Sequence, residues 1–339
     1  MALNKKTFIY LSFLSLVLVL LGFMIFSVIL GTADISSREV IKIISEKLFS
    51  INFQIDESKS FIVLNLRMPR IILAILVGAS LSLSGCILQA IFKNPMADPY
   101  ITGTSAGALF GASLAMLLFA NSNVSLALAS FLGSLFSTFI IYSFSSKNGQ
   151  ISITTMLLAG LVLSSLLGAV VQFIMIFSKK ELINIFTFTM GSFSGATWEA
   201  VSIIATILVI SFIYYYLHYK ELNIICLGDD NAKAIGVNVD KTKKIFLVIS
   251  ALLTSVTVAF SGIIGFVGLI IPHFFRLILG NNHKYLLPFS LVGGAILMLF
   301  CDNIARTSLP SGEFPVGIVT SIIGAPLFLV LLRKSKRLI

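Results

Sequence analysis

Residues 66–107 read LRMPRIILAILVGASLSLSGCILQAIFKNPMADPYITGTSAG. From 71 to 92 this stretch holds no charged residue, and about 20 apolar residues are enough to carry an α-helix across a bilayer. Arg67 and Arg70 stand before the run and Lys93 directly after it, so cations bracket it at both ends. Pro69 suits a first helical turn, where a missing N–H is not needed. The two prolines of KNPMADP (93–99) break the helix into a loop. The stretch therefore reads as a membrane span, and that reading sets the solvent for the rest of the chain.

The pattern recurs outward in both directions. Apolar runs mark further spans at roughly 8–30, 101–119, 124–144, 152–177, 199–218, 245–260, 262–279, 286–304 and 316–332, which makes about ten helices in all. Of the 339 residues, 57% are hydrophobic and only 11% charged, against about 25% charged in a soluble domain. A soluble chain this poor in charge could not cover its surface. The fold class expected is an all-α polytopic membrane protein, with residues 1–339 forming one transmembrane domain.

The net charge of +10 shows no basic stripe interleaved with aromatics, which argues against nucleic-acid binding. It follows instead the positive-inside pattern of short loops. With Lys5 and Lys6 inside, ten spans bring the tail RKSKR (333–337) to the same side, so both termini are expected to be cytoplasmic. Lys93, Lys147, the run from Lys220 to Lys244, and Arg276, His283 and Lys284 also fall inside; Lys179 and Lys180 are the exception. The run 8–30 is too long for a signal-peptide core of about 7–15 residues, so it reads as a retained helix. Segment 35–50 spaces Val40, Ile43, Ile44 and Leu48 as an amphipathic helix on the outer surface, capped by Ser36 or Ser37.

Chemistry is sparse inside the membrane. Glu199, Arg276 and Asp302 lie near span ends, so a proton relay at mid-membrane is disfavoured. A sodium-coupled secondary carrier built on backbone carbonyls stays open. Gly-Lys never occurs, which excludes a P-loop. An intramembrane hydrolase would have to use His273, which follows Pro272 and reads more simply as a structural histidine, hydrogen-bonded near a kink. Cys86, Cys226 and Cys301 have no metal or disulfide spacing. No metal or catalytic residue is assigned. The chain reads as a pore whose energy, if it needs any, comes from elsewhere.

LGDDNAKAIGV (227–237) lies in the longest inside loop, about 219–244. Gly228 and Gly236 bracket a short helix, with Asp229 at its N-terminus and Gly236 as its C-terminal cap. Ala232, Ile235 and Val237 would form a small apolar face suited to a partner's groove; a solvated turn is the alternative. Arg67, Arg70 and Arg306 fall outside, either as interfacial anchors or as carboxylate-binding forks. Small residues at 78–85 and 159–169 serve close helix packing or a wide path.

Five stretches together resemble the FecCD family, the permease subunits of ABC importers for iron–siderophore complexes, haem and cobalamin. They are 66–107, MGSFSGATW (190–198), LGDDNAKAIGV (227–237), SGIIGFVGLIIPHFFRLILGNNHKYLLP (261–288) and FPVGIVTSIIGAPLFLVLLRK (314–334). The resemblance runs in order through nearly the whole chain. It implies the type II ABC importer permease fold in a bacterial cell membrane, working as a homodimer or with a related permease. Two cytoplasmic ATPases, which hold ATP and Mg, would drive it, with no cofactor in this chain and no catalysis of its own. An extracytoplasmic binding protein would deliver a ferric siderophore in the first instance, haem or cobalamin otherwise. By the same resemblance, Gly228, Asp229, Asp230, Ala232, Ala234 and Gly236 couple to the ATPase, Arg67, Arg70 and Arg306 dock the binding protein, and Ser164, Ser165 and Gln172 line the pathway at the dimer axis.

Overall fold

The computed structural model describes residues 5–31, 35–49, 53, 55–118, 123–147, 150–177, 181–309 and 312–335. Lys179, Lys180 and the end of the basic tail lie outside the described residues. Every apolar run becomes a helix. The order begins with α1 (Lys5–Ile29), α2 (Ser37–Phe49) and α3 (Glu57–Phe61), which runs through a π-helical segment into α4 (Met68–Ile91). Then come α5 (Thr104–Leu118), α6 (Asn123–Ser145), a two-residue antiparallel ribbon of β1 (Ser146–Lys147) and β2 (Gln150–Ile151), and α7 (Ile153–Phe177). The chain continues through α8 (Leu182–Met190), α9 (Trp198–Leu217), α10 (Tyr219–Cys226), α11 (Asp229–Ala234) and α12 (Val239–Ser261). It ends with α13 (Val267–Leu279), α14 (His283–Thr307) and α15 (Val316–Ser335). Seven helices among the described residues are long and apolar enough to cross a membrane, and α5, α13 and α15 are shorter apolar helices.

The bundle is built around α4. Its most apolar stretch is 83% buried, whereas that of α1 is 6% and that of α7 is 22%. Small residues explain how α4 is surrounded so closely. A side chain at Gly78 would run into the Gly294 carbonyl of α14, and one at Gly85 into the Gly268 carbonyl of α13. Without a hydrophobic drive between helices in lipid, such backbone-to-backbone approach supplies the packing. Two apolar clusters result, one around Leu83, Tyr215, Phe246 and Leu287, the other around Leu73, Ile204, Val267 and Met298.

The amphipathic segment folds as read, with Ser36 as its cap. The Ser36 Oγ accepts from the Glu39 N–H at 3.3 Å, and the Glu39 carboxylate accepts from the Ser36 N–H at 2.8 Å, a reciprocal capping box. Val40 and Ile43 are buried against Ile35 and Val63. A 2.7 Å bond from Lys59, then the bonds from Ser36, hold the Glu39 carboxyl down to about 2.

KNPMADP departs from its reading as a simple inside loop. Only its start stays at the helix end, where Lys93 takes a left-handed φ of 49°. Its end folds back into the bundle: the Tyr100 hydroxyl donates to the Ile264 carbonyl at 2.8 Å and accepts from the Ile264 N–H at 3.1 Å. Pro99 packs on Gly268 at the start of α13. A loop at this depth must satisfy its polar groups within the protein, and Asp98 does so by accepting from the Tyr100 N–H at 2.8 Å.

Candidate functional site

The chemistry-bearing residues gather at the two ends of the bundle and in a cavity lined by α5, α6, α8 and α12. At one end the three arginines meet. α1 leaves its last carbonyls without helical partners, as every helix does. Arg67 donates to the Val28 carbonyl at 3.1 Å, and Arg306 to those of Ser27 at 2.5 Å and Leu30 at 3.1 Å. Two guanidinium groups thus cap one helix C-terminus, where positive charge is also favoured by the helix dipole. Asn303 joins them by accepting from Arg306 at 2.6 Å and donating to the Ser27 hydroxyl at 2.7 Å.

Arg70 differs from the other two. Its Nε and Nη2 grip Asp302 at 3.0 and 2.8 Å, and its Nη1 donates to both oxygens of Glu313 at 2.7 and 2.6 Å. The Asp302 side chain is fully buried, whereas that of Glu313 is 37% exposed. The outward-facing picture of all three arginines is therefore corrected. Arg67 and Arg306 are buried on internal carbonyls, and only the outer edge of Arg70 comes near the surface, already covered by Glu313. Neither Asp302 nor Glu313 was legible as a partner, because they lie 232 and 243 residues away.

At the opposite end stands the segment 219–244. Gly228, with φ of 133°, precedes α11, and Asp229 and Asp230 occupy its first turn, with Ala234 closing it. Gly236 has φ of 91°; its N–H reaches the Lys233 carbonyl and the Val237 N–H the Ala232 carbonyl, both at 3.0 Å. That pair of bonds is a Schellman cap, as glycine at this position allows. The direction of the small apolar face is corrected, however. Ala232 is 0% exposed and packs on Ile225 and Val239, while Ile235 (67%) and Leu227 (72%) project outward.

Asp229 does more than cap. It accepts from Lys243 of α12 at 2.5 Å and from Lys93 at the end of α4 at 2.8 Å. Partial burial works against its ionisation, but the hydrogen bonds from Lys243 and Lys93 outweigh this and hold its carboxyl below the usual range. A second anchor joins Asn223 of α10 to the start of α14: its Oδ1 accepts from the His283 N–H at 2.9 Å and lies 2.7 Å from Nδ1 of the ring.

The cavity, about 410 Å³, opens between α5, α6, α8 and α12. Ser125, Asn184, Thr187, Ser192, Ser194 and Ser261 supply its polar wall, with Met116, Leu126, Phe188 and Phe260 between them. No charged residue lines it among the described residues. Of these, Ser192 and Ser194 belong to the MGSFSGATW stretch, so part of the wall could have been found there. Ser164, Ser165 and Gln172 do not line this cavity; all three sit on α7, Ser165 and Gln172 on its exposed face. His273 is buried beside Phe328, and neither ring nitrogen has a hydrogen-bond partner among the described residues, contrary to the expected bond.

The FecCD transport family model matches residues 18–334. The chain belongs to the FecCD transport family. A cobalamin import system permease protein, BtuC of Halobacterium salinarum, is 40% identical over 286 residues, covering 84% of this chain and 77% of that protein. A hemin transport system permease protein, HmuU of Yersinia pestis, is 38% identical over 279 residues, covering 80% and 83%. Among solved structures, an inward-facing metal-chelate type ABC transporter superposes with a TM-score of 0.82 at 34% identity, covering 95% of this chain and 98% of that one. This FecCD chain is thus a membrane-embedded ABC importer permease, and its secondary structure among the described residues is helical apart from one short ribbon.

Proposed function

We propose that this FecCD permease carries a metal chelate, a ferric siderophore in the first instance, from an extracytoplasmic binding protein across the cell membrane into the cytoplasm. It works as one of two permease copies, and two ATP-binding-cassette subunits holding ATP and Mg supply the energy. The observation that carries this reading is the α10–α11 segment. It is a capped, ion-paired hook beyond the spans whose Leu227 and Ile235 point away from the chain's own core. An apolar tip on a rigid base suits insertion into a partner's groove.

The cavity wall supports the substrate class. Hydroxyls and an amide with apolar residues between them fit a bulky chelate whose metal charge is already enclosed. A small bare oxyanion would call for cationic or backbone N–H donors. Haem and cobalamin satisfy the same wall, and relatives named for both support keeping them as the other cargoes.

The test is uptake in proteoliposomes holding the permease, its ATPase and its binding protein. The cargoes are ⁵⁵Fe-ferrichrome, haemin and cyanocobalamin, offered singly. Uptake of one of them that requires ATP is expected. Uptake by the permease alone under a sodium gradient, insensitive to ATP, would replace this reading with a secondary carrier.

A further inference from the structure

Arg70 divides its guanidinium between two carboxylates of unequal standing. Asp302 takes the inner edge through Nε and Nη2 and is wholly buried, so it is a fixed part of the bundle. Glu313 takes the outer edge through Nη1 and is 37% exposed, on a non-helical segment between α14 and α15. The outer edge of Arg70 is therefore a formed carboxylate site at the surface, and the chain's own Glu313 fills it.

We infer that Glu313 is an internal stand-in for an acidic side chain of a docking protein, which can reach Arg70 only by taking the place of Glu313. This rests on the proposed delivery of cargo by a binding protein and on its docking at Arg70, which the family resemblance implies. Asp302 keeps its grip on Arg70 throughout, so exchange of the exposed partner leaves no buried cation unpaired.

Release of Glu313 would also be felt further in. The segment that follows it is sewn to α14 and toward the cavity rim: the Phe314 N–H bonds the Ala305 carbonyl of α14 at 3.0 Å, and the Val316 N–H bonds the Gly191 carbonyl at 3.1 Å. Gly191 adjoins Ser192, a cavity-lining residue whose N–H bonds the Ser261 carbonyl at 2.9 Å. A partner on Arg70 would thus act on the rim through the backbone from Glu313 to Val316 and the bond to Gly191.

The experiment uses the full-length permease in proteoliposomes and phenylglyoxal, which modifies accessible guanidinium groups, with Arg70 followed by peptide mass spectrometry. Glu313→Gln should raise the labelling rate of Arg70 severalfold, and Glu313→Asp should restore protection. The same Glu313→Gln variant should bind the purified substrate-binding protein more tightly, by up to about fivefold, the range of a partly exposed ion pair. Unchanged labelling would overturn the inference, since Glu313 would not be what covers Arg70. Raised labelling with unchanged binding, while Arg70→Glu still abolishes binding, would overturn the competition and leave docking intact. Binding unaffected by Arg70→Glu would show that the docking reading itself had failed, and the competition with it.

Discussion

Gly236 sits at φ of 91° with open space where a side chain would point. The demand on this residue is therefore one of backbone conformation alone, which a β-branched residue meets badly. Gly236→Val should strain the Schellman cap by about 1–2 kcal/mol without touching the spans. Uptake and ATPase activity measured side by side should show transport lost while membrane insertion is normal, with Gly236→Asn intermediate because asparagine tolerates the left-handed region. Asp229, seven residues earlier, gives a prediction with a sign. Its folded pKa is depressed, so its contribution is fully present above the ordinary aspartate value of about 3.9 and is lost as pH falls through the lower folded value. Hydrogen exchange of residues 229–236, corrected for intrinsic rate, should be unchanged from pH 8 to 5. It should rise in Asp229→Asn at every pH, because Lys93 and Lys243 then lose their shared anion.

Among the elements, α14 shows what a linear sequence conveys and what it does not. Its apolar run, like the others, was legible because a span must be long and uncharged whatever it packs against. So were the serine cap of α2 and the glycine cap of α11, whose partners lie within a few residues. The far end of α14 was not legible. Asp302 read as an ordinary residue near a span end and Arg306 as an outer anchor or docking fork, yet they meet Arg70 from α4 and the terminal carbonyls of α1, contacts that only the packed bundle creates. The inward turn of Ala232 escaped for a like reason, since a six-residue helix has too few positions for a periodicity to separate its faces. This end of α14 carries a stability prediction. Asp302→Ala would leave Arg70 with only the exposed Glu313, and Arg306 without its carboxylate neighbour at 3.8 Å. Breaking a buried pair from one side costs about 3–5 kcal/mol. Thermal unfolding in detergent should shift down markedly, whereas Glu313→Ala, which removes only the exposed partner, should cost about 0–1 kcal/mol.

Across the whole molecule, α4 and α14 form the connection between the two working ends. At one end they hold Arg70 and Asp302, at the other Lys93 with Asp229 and His283 with Asn223. Several helices keep an exposed apolar face, and on α7 that face also carries polar side chains. Leu158, Leu161, Ser165, Leu166, Gln172, Phe173 and Ile176 are all exposed along it. Ser165 and Gln172, seven residues apart, fall on one stripe two turns apart, whereas Ser164 is turned about 100° away and is half-buried. A glutamine amide facing hydrocarbon would forfeit its hydrogen bonds, so Gln172 must face either water or a polar group on another chain. In the proposed dimer, a second permease copy placed against α7 would supply a wet path between the two, with the apolar residues flanking it as contact. Gln172→Cys and Ser165→Cys, made in a Cys226→Ser background because Cys226 is the one native thiol that is not buried, should then react with a water-soluble maleimide in proteoliposomes. Leu18→Cys, on the outward face of α1, should stay unmodified because lipid covers it. Bulky, impermeant cargo should protect Gln172→Cys during turnover, and disulfide cross-linking should join two copies through residues on the same stripe. If Gln172→Cys were as inert as Leu18→Cys, the α7 face would be a lipid-facing surface and the path would have to run through the cavity of one chain alone.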